Sequence, residues 1–118
     1  MMNEEAFVRV CDVDDVPAGS LRRVVVGDET VVIANVDGTW YAVSAWCAHQ
    51  GVSLSYGRLQ GHELMCFAHG WTYDVRSGRP VWPPFSGVAA GYCLRTYAVQ
   101  EEGGALLIAP TSNGGSVG

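Results

Sequence analysis

The 118-residue chain contains no lysine: all seven of its basic residues are arginine, and only Arg22 and Arg23 adjoin. A nucleic-acid surface needs a dense Lys/Arg footprint against the phosphates, and a formal net charge of −5 works against one. Such a charge suits steering toward a basic protein partner, or simply solubility. Long apolar runs are also missing. The longest, such as Val24 to Val26 and Leu106 to Ala109, fall far short of the roughly 20 residues that a membrane-spanning helix requires. The N-terminus, Met1-Met2-Asn3-Glu4-Glu5, has neither the basic nor the apolar region of a secretory signal. A cytoplasmic protein, away from membranes, is therefore expected. There is no internal repeat, no amphipathic helical periodicity, and no residue set suggesting nucleophilic or acid-base catalysis.

With 48% hydrophobic and 16% charged residues, the chain fits a single globular domain, expected over residues 1–110. Most of it reads as short strands broken by turns. Phe7 to Cys11 is a strand candidate, and Val13 to Ser20 carries the Pro and Gly of a loop. Leu21 to Val26 and Glu29 to Asn35 are β-branched runs separated by Gly27-Asp28, which is hairpin chemistry. Asp37-Gly38 repeats that signal before Trp40 to Val43, so these three strands form a meander. Trp46 to Tyr56 and Cys66 to Gly70 read as loops. His62 to Met65 and Trp71 to Val75 read as strands, and Ser77-Gly78 as a turn. Pro80, Pro83 and Pro84 argue against a central strand and point to a third loop. Cys93 to Gln100 and Ala105 to Ala109 close a last hairpin, and the Gly/Ser-rich residues 111–118 are expected to be disordered. The fold class is all-β, a sandwich or barrel.

Four cysteines in a short chain can signal disulfides, but a cytoplasmic location disfavours them, and two of the four stand beside histidines. Cys47-x-His49 is followed, after sixteen intervening residues, by Cys66-x2-His69. Thiolate and imidazole are the ligands of soft to borderline metals, and one pair on each of two loops can close around a small centre. Cys11 and Cys93 lie in strand-like runs without a nearby histidine and read as core or sheet residues. His62, beside Gly61 in a turn, reads as solvent-exposed. The ligand types alone do not exclude a structural zinc site, but the x1 spacing of the first pair, the flanking glycines and a chain long enough to form its own core stand against it.

The two boxes resemble those of the Rieske family. Gly51 and Gly70 follow the histidines, Tyr73-Asp74-Val75-Arg76-Ser77-Gly78 resembles the strand and turn after the second box, and Pro83 or Pro84 resembles the family's proline loop. The similarity runs from about Val31 to Ala109 and so implies a free-standing ferredoxin, similar to the ferredoxin component of bacterial multicomponent aromatic-ring oxygenases. It implies three stacked antiparallel sheets with two cluster-binding loops at one tip, and one [2Fe-2S] cluster. Cys47 and Cys66 would hold the inner iron, and His49 and His69 the outer. The partners implied are a flavin-containing NAD(P)H-dependent reductase as donor and a terminal oxygenase as acceptor, either a ring-hydroxylating dioxygenase or a monooxygenase, with the ferredoxin itself a monomer.

Replacing two thiolates by neutral imidazoles makes an extra electron easier to accept, which places such centres at about −150 to +300 mV. High-potential relatives add a cysteine to each box, where this chain has Val52 and Ala68, and carry a serine where it has Trp71. A potential toward the lower end is therefore expected. Tyr73 either donates to a ligand sulfur, raising the potential, or packs as an ordinary aromatic. The docking face would comprise His49, Gln50, His69, Gly70 and the Pro83-Pro84 loop. Trp46, Trp71 and Trp82 either cluster there or shield the centre. A small reductase subunit of similar fold is a further alternative, but such subunits typically lack the four ligands.

Overall fold

The computed structural model describes residues 7–47, 53–67, 70–82 and 93–112, with no side-chain description from Pro110 onward. The ten strands among these described residues are β1 (Val8–Asp12), β2 (Leu21–Val26), β3 (Glu29–Val36), β4 (Thr39–Ser44), β5 (Arg58–Gln60), β6 (Glu63–Met65), β7 (Thr72–Asp74), β8 (Pro80–Trp82), β9 (Thr96–Glu102) and β10 (Ala105–Ser112). The only helical pieces among the described residues are two short 3-10 turns, Val13–Asp15 and Leu54–Tyr56.

The expected meander is present: β2, β3 and β4 pair antiparallel in sequence order. Its second turn is set by local chemistry. Asp37 and Gly38 both adopt positive φ, 52° and 92°, the geometry that lets a two-residue turn match the strand twist. Asn35 supports the turn from inside, its Oδ1 accepting from the Gly38 N–H at 2.7 Å and its Nδ2 donating to the Val16 carbonyl at 2.7 Å. A buried amide is tolerated here because both ends are satisfied.

The expected all-β, barrel-like class is present, and among the described residues the strands form two hydrogen-bonded sheets. One has six strands in the order β1-β10-β9-β4-β3-β2, and the other four in the order β5-β6-β7-β8. In the first, β4 pairs with β3 on one side and with β9 on the other, joining the meander and the closing hairpin into one sheet. That sheet curls until β1 comes back beside β2, giving a nearly closed barrel.

Two apolar cores result. Val31 and Ile33 of β3, Ala42 of β4, and Leu106 and Ile108 of β10 fill the inside of the curled sheet. Val32, Ala34 and Val36 of β3, with Val43 of β4, face the other way and pack on Leu64, Tyr73 and Val75 of the four-stranded side. β3 is thus buried on both faces, which is why it reads as a continuous apolar run without alternation.

Several sequence expectations shift. Arg58–Gln60, unassigned from sequence, is a strand, and its partner starts at Glu63, leaving His62 in the turn. His62 is half-buried instead of exposed, its ring meeting Tyr41 edge-on at 5.6 Å between centroids. Pro80–Trp82 is an edge strand and no loop; proline is tolerated at the first residue of an edge strand because its missing N–H breaks no interior ladder. Cys93 is exposed and precedes β9, which begins only at Thr96, whereas Cys11 is buried in β1 as expected. The β10 backbone runs to Ser112, two residues beyond the expected domain end, because past a register shift it pairs again with β9, Ser112 opposite Tyr97. Residues 113–118 and Pro83-Pro84 lie outside the described residues.

Candidate metal centre

Cys47 and Cys66 arrive at one place by different routes. The first leaves the end of β4. There the chain is tied on both flanks: Ser44 N–H donates to the Arg95 carbonyl at 2.9 Å and Ala45 N–H to the Thr30 carbonyl at 3.1 Å. The returning chain is pinned to the same exit, since Leu54 N–H donates to the Ala45 carbonyl at 2.6 Å and Trp46 bridges Ser53. Both legs of the first loop are therefore held at its stem.

Cys66 directly follows β6, at the mouth of the β6–β7 hairpin. Its N–H donates to the Trp71 carbonyl at 2.7 Å and its carbonyl accepts from the Gly70 N–H at 3.0 Å, so the hairpin closes in a tight loop. The two strands below are pulled inward by Leu64 and Tyr73, both fully buried.

Both sulfurs end up dry. Cys47 is 2% and Cys66 1% exposed, both belong to the core between the two sheets, and neither is in a disulfide. A Tyr73 hydroxyl stands 3.2 Å from Cys47 Sγ in this buried setting. Of the two readings of Tyr73 this supports the sulfur hydrogen bond, with the hydroxyl as the stronger donor. Trp71 packs partly buried against the same core, its ring 6.4 Å from that of Tyr73. Trp46 and Trp82 instead stand on the surface, 44% and 50% exposed.

His49, His69, Gln50, Val52 and Ala68 lie outside the described residues. Among the described residues no three of His, Cys, Asp and Glu converge into a metal site. Two buried, unbridged thiols delivered by separate loops to one core nevertheless fit an iron–sulfur cluster, whose irons take thiolate ligands and whose stability benefits from exclusion of water. Cys11 differs: it sits in the other core, where burial first, then nearby Asp15, pushes its thiol up, as befits an inert side chain.

Sequence reasoning missed two features of the site. Gly57 lies against β6, where a Cβ would fall 2.3 Å from the Met65 carbonyl oxygen, one residue before Cys66. Phe67, next to Cys66, is 61% exposed and meets the exposed Tyr56 ring edge-on at 6.3 Å. Nothing local marked either, since the strand that follows Gly57 was itself unassigned from sequence.

The chain's similarities agree with this geometry. The profile of the Rieske [2Fe-2S] domain matches residues 6–98. The chain is 35% identical over 103 residues to the ferredoxin component of the alkene monooxygenase system of Xanthobacter autotrophicus, covering 86% of this chain and 80% of that protein. Among solved structures, the ferredoxin of carbazole 1,9a-dioxygenase from Nocardioides aromaticivorans superposes with a TM-score of 0.80 at 28% identity, covering 90% of this chain and 99% of that one. A ferredoxin in a complex of reduced oxygenase and oxidised ferredoxin of carbazole 1,9a-dioxygenase matches equally well, with a TM-score of 0.80, 28% identity, and 92% and 96% covered.

Proposed function

The chain belongs to the Rieske [2Fe-2S] domain family, and on that premise we propose that it is an electron carrier whose cluster is held by Cys47, Cys66, His49 and His69. Its donor is a flavin-containing NAD(P)H-dependent reductase. Its acceptor is a terminal oxygenase, either a ring-hydroxylating dioxygenase or a related monooxygenase. It is the ferredoxin component of such a system, not its catalytic subunit, and it works as a monomer in the cytoplasm, where thiols stay reduced.

The observation that carries this reading is the pair of dry thiols, Cys47 and Cys66, presented by two pinned loops to one core beside the Tyr73 hydroxyl. When bound, a [2Fe-2S] centre supplies one-electron chemistry at about −150 to +300 mV for mixed Cys/His ligation. The protein does the rest. Cys47 and Cys66, both buried, would hold the cluster through thiolate, and His49 and His69 would complete its ligand set through imidazole. Tyr73 donates toward sulfur and so favours the more negative, reduced state. The hydrogen bonds at both loop stems keep Cys47 and Cys66 in place, so these two ligands would move little as an electron arrives or leaves.

Metal and acid-labile sulfide analysis of anaerobically purified protein, with low-temperature EPR after dithionite reduction, tests the reading. Two irons, two sulfides and a rhombic signal with average g below 2 are expected. One zinc without sulfide or signal would make the site structural and end the electron-transfer reading.

A further inference from the structure

The outer face of the four-stranded sheet carries a groove of about 450 Å³ that the electron-carrier reading leaves unused. Arg58, Met65, Gly70, Thr72, Val81 and Trp82 wall it at the end near the Cys66 loop, and the Gln60–Glu63 pair walls the far end. Arg58, Met65, Thr72 and Trp82 lie in one cross-strand row, the row that adjoins the Cys66 loop. Strand alternation should turn only one of Val81 and Trp82 outward. A register shift in β8 changes that: Trp82 pairs with Thr72 and Pro80 with Tyr73, leaving Val81 as an extra, unpaired residue. Such a bulge re-aims side chains, and both Val81 and Trp82 face solvent, 40% and 50% exposed. Trp82 reaches over Gly70, its ring 3.7 Å from where a Cβ would sit. Adjacent exposed apolar side chains lining a groove mark a surface made for contact.

The charge is segregated in the same sense. Residues 53–82 carry Arg58, Arg76 and Arg79 against Glu63 and Asp74, one net positive charge, while the rest of the chain sets four arginines against ten acids. Arg76 is already held by Asp74 through two hydrogen bonds, at 3.0 and 2.7 Å. Among the described residues Arg58 takes part in no ion pair, and it stands exposed at the groove. A partner with a carboxylate at its contact surface is repelled by most of this molecule and admitted at the Arg58 end of this groove, away from Glu63.

We propose that the terminal oxygenase docks on this face, seating an apolar side chain in the Met65–Val81–Trp82 groove and a carboxylate against Arg58. The proposal rests on the electron-carrier reading. The oxygenase is chosen over the reductase because a similar ferredoxin is seen bound to an oxygenase in a solved complex. Gly70 belongs both to the groove and to the second cluster loop, so docking here sets the loop at a fixed distance from the acceptor. Tryptophan and arginine are the residues that most often dominate such interfaces.

The test uses the cluster-loaded protein with the oxygenase and reductase components of the Xanthobacter autotrophicus alkene monooxygenase system as probes. Binding to the oxygenase is measured by biolayer interferometry and reduction by the reductase in stopped flow. Trp82→Ala and Arg58→Glu should each raise the oxygenase Kd at least about tenfold with an unchanged visible spectrum and reductase rates within about twofold. Glu102→Gln, on the other sheet, should bind normally. Unchanged affinity in both groove variants, an equal loss in Glu102→Gln, or a loss confined to the reductase overturns the proposal. A wild-type protein that neither accepts electrons from the reductase nor binds the oxygenase overturns the electron-carrier reading beneath it.

Discussion

Replacing Tyr73 by phenylalanine removes one oxygen atom and keeps the ring that fills the core between the sheets. The hydroxyl lies 3.2 Å from Cys47 Sγ, in a side chain with no exposed surface, so water cannot replace it. A hydrogen bond to a charged acceptor contributes about 1.5–3 kcal/mol. Only the part that differs between the oxidation states moves the potential. With two thiolates and two neutral imidazoles, the oxidised centre is neutral and the reduced one carries one negative charge, so the bond strengthens on reduction. If about 1 kcal/mol of it is differential, the one-electron relation of 59 mV per tenfold gives a fall of about 40 mV. Protein-film voltammetry at pH 7 measures the shift directly, and the EPR signal reports whether the centre is intact. A potential within about 10 mV of wild type, or a rise, with the signal retained, would refute the argument that this hydroxyl serves the sulfur.

Three other outcomes are expected. His69→Ala should lose or destabilise the cluster, whereas Cys93→Ala, changing an exposed residue outside any strand, should leave the visible spectrum unchanged; the reverse pattern would overturn the ligand assignment. Gly57→Ala forces a Cβ against the Met65 carbonyl, an overpacking that costs about 1–3 kcal/mol, so thermal unfolding should move down and cluster loading fall; an unchanged melting curve would show that β5 and β6 can separate freely. The Tyr97 hydroxyl donates to Glu29, and burial first, then that bond, raises its pKa. A raised pKa makes a contribution to stability that is full below the unfolded value of about 10 and is lost as pH rises above it toward the folded value. Thermal unfolding followed by circular dichroism should therefore show stability falling above about pH 10 in wild type and falling less in Tyr97→Phe.

Much of this protein was legible locally. The strands Leu21–Val26 and Glu29–Val36 and the Asp37-Gly38 turn follow from β-branched runs and from residues that accept positive φ, preferences that act between near neighbours. The Cys-x-His and Cys-x2-His boxes were equally plain, because ligand chemistry resides in residue type and spacing. Where the reading slipped, a distant partner decided. Pro80–Trp82 became a strand because β7 offered an edge, and Cys93 fell outside β9, whose ladder with β4 begins at Thr96. Arg58–Gln60 is too short to show a period but is held by β6. Tyr73 read equally well as packing or as a donor until the fold brought β7 against the end of β4 and set its hydroxyl beside Cys47. The same holds for the outward turn of Val81 and Trp82. A bulge is a mismatch between two strands, and neither strand's sequence contains it. The sequence by itself determined which atoms could bind a cluster and which segments could extend. Tertiary structure alone decided that Cys47 and Cys66 meet in one dry core, because that requires two sheets to close over residues far apart in the chain.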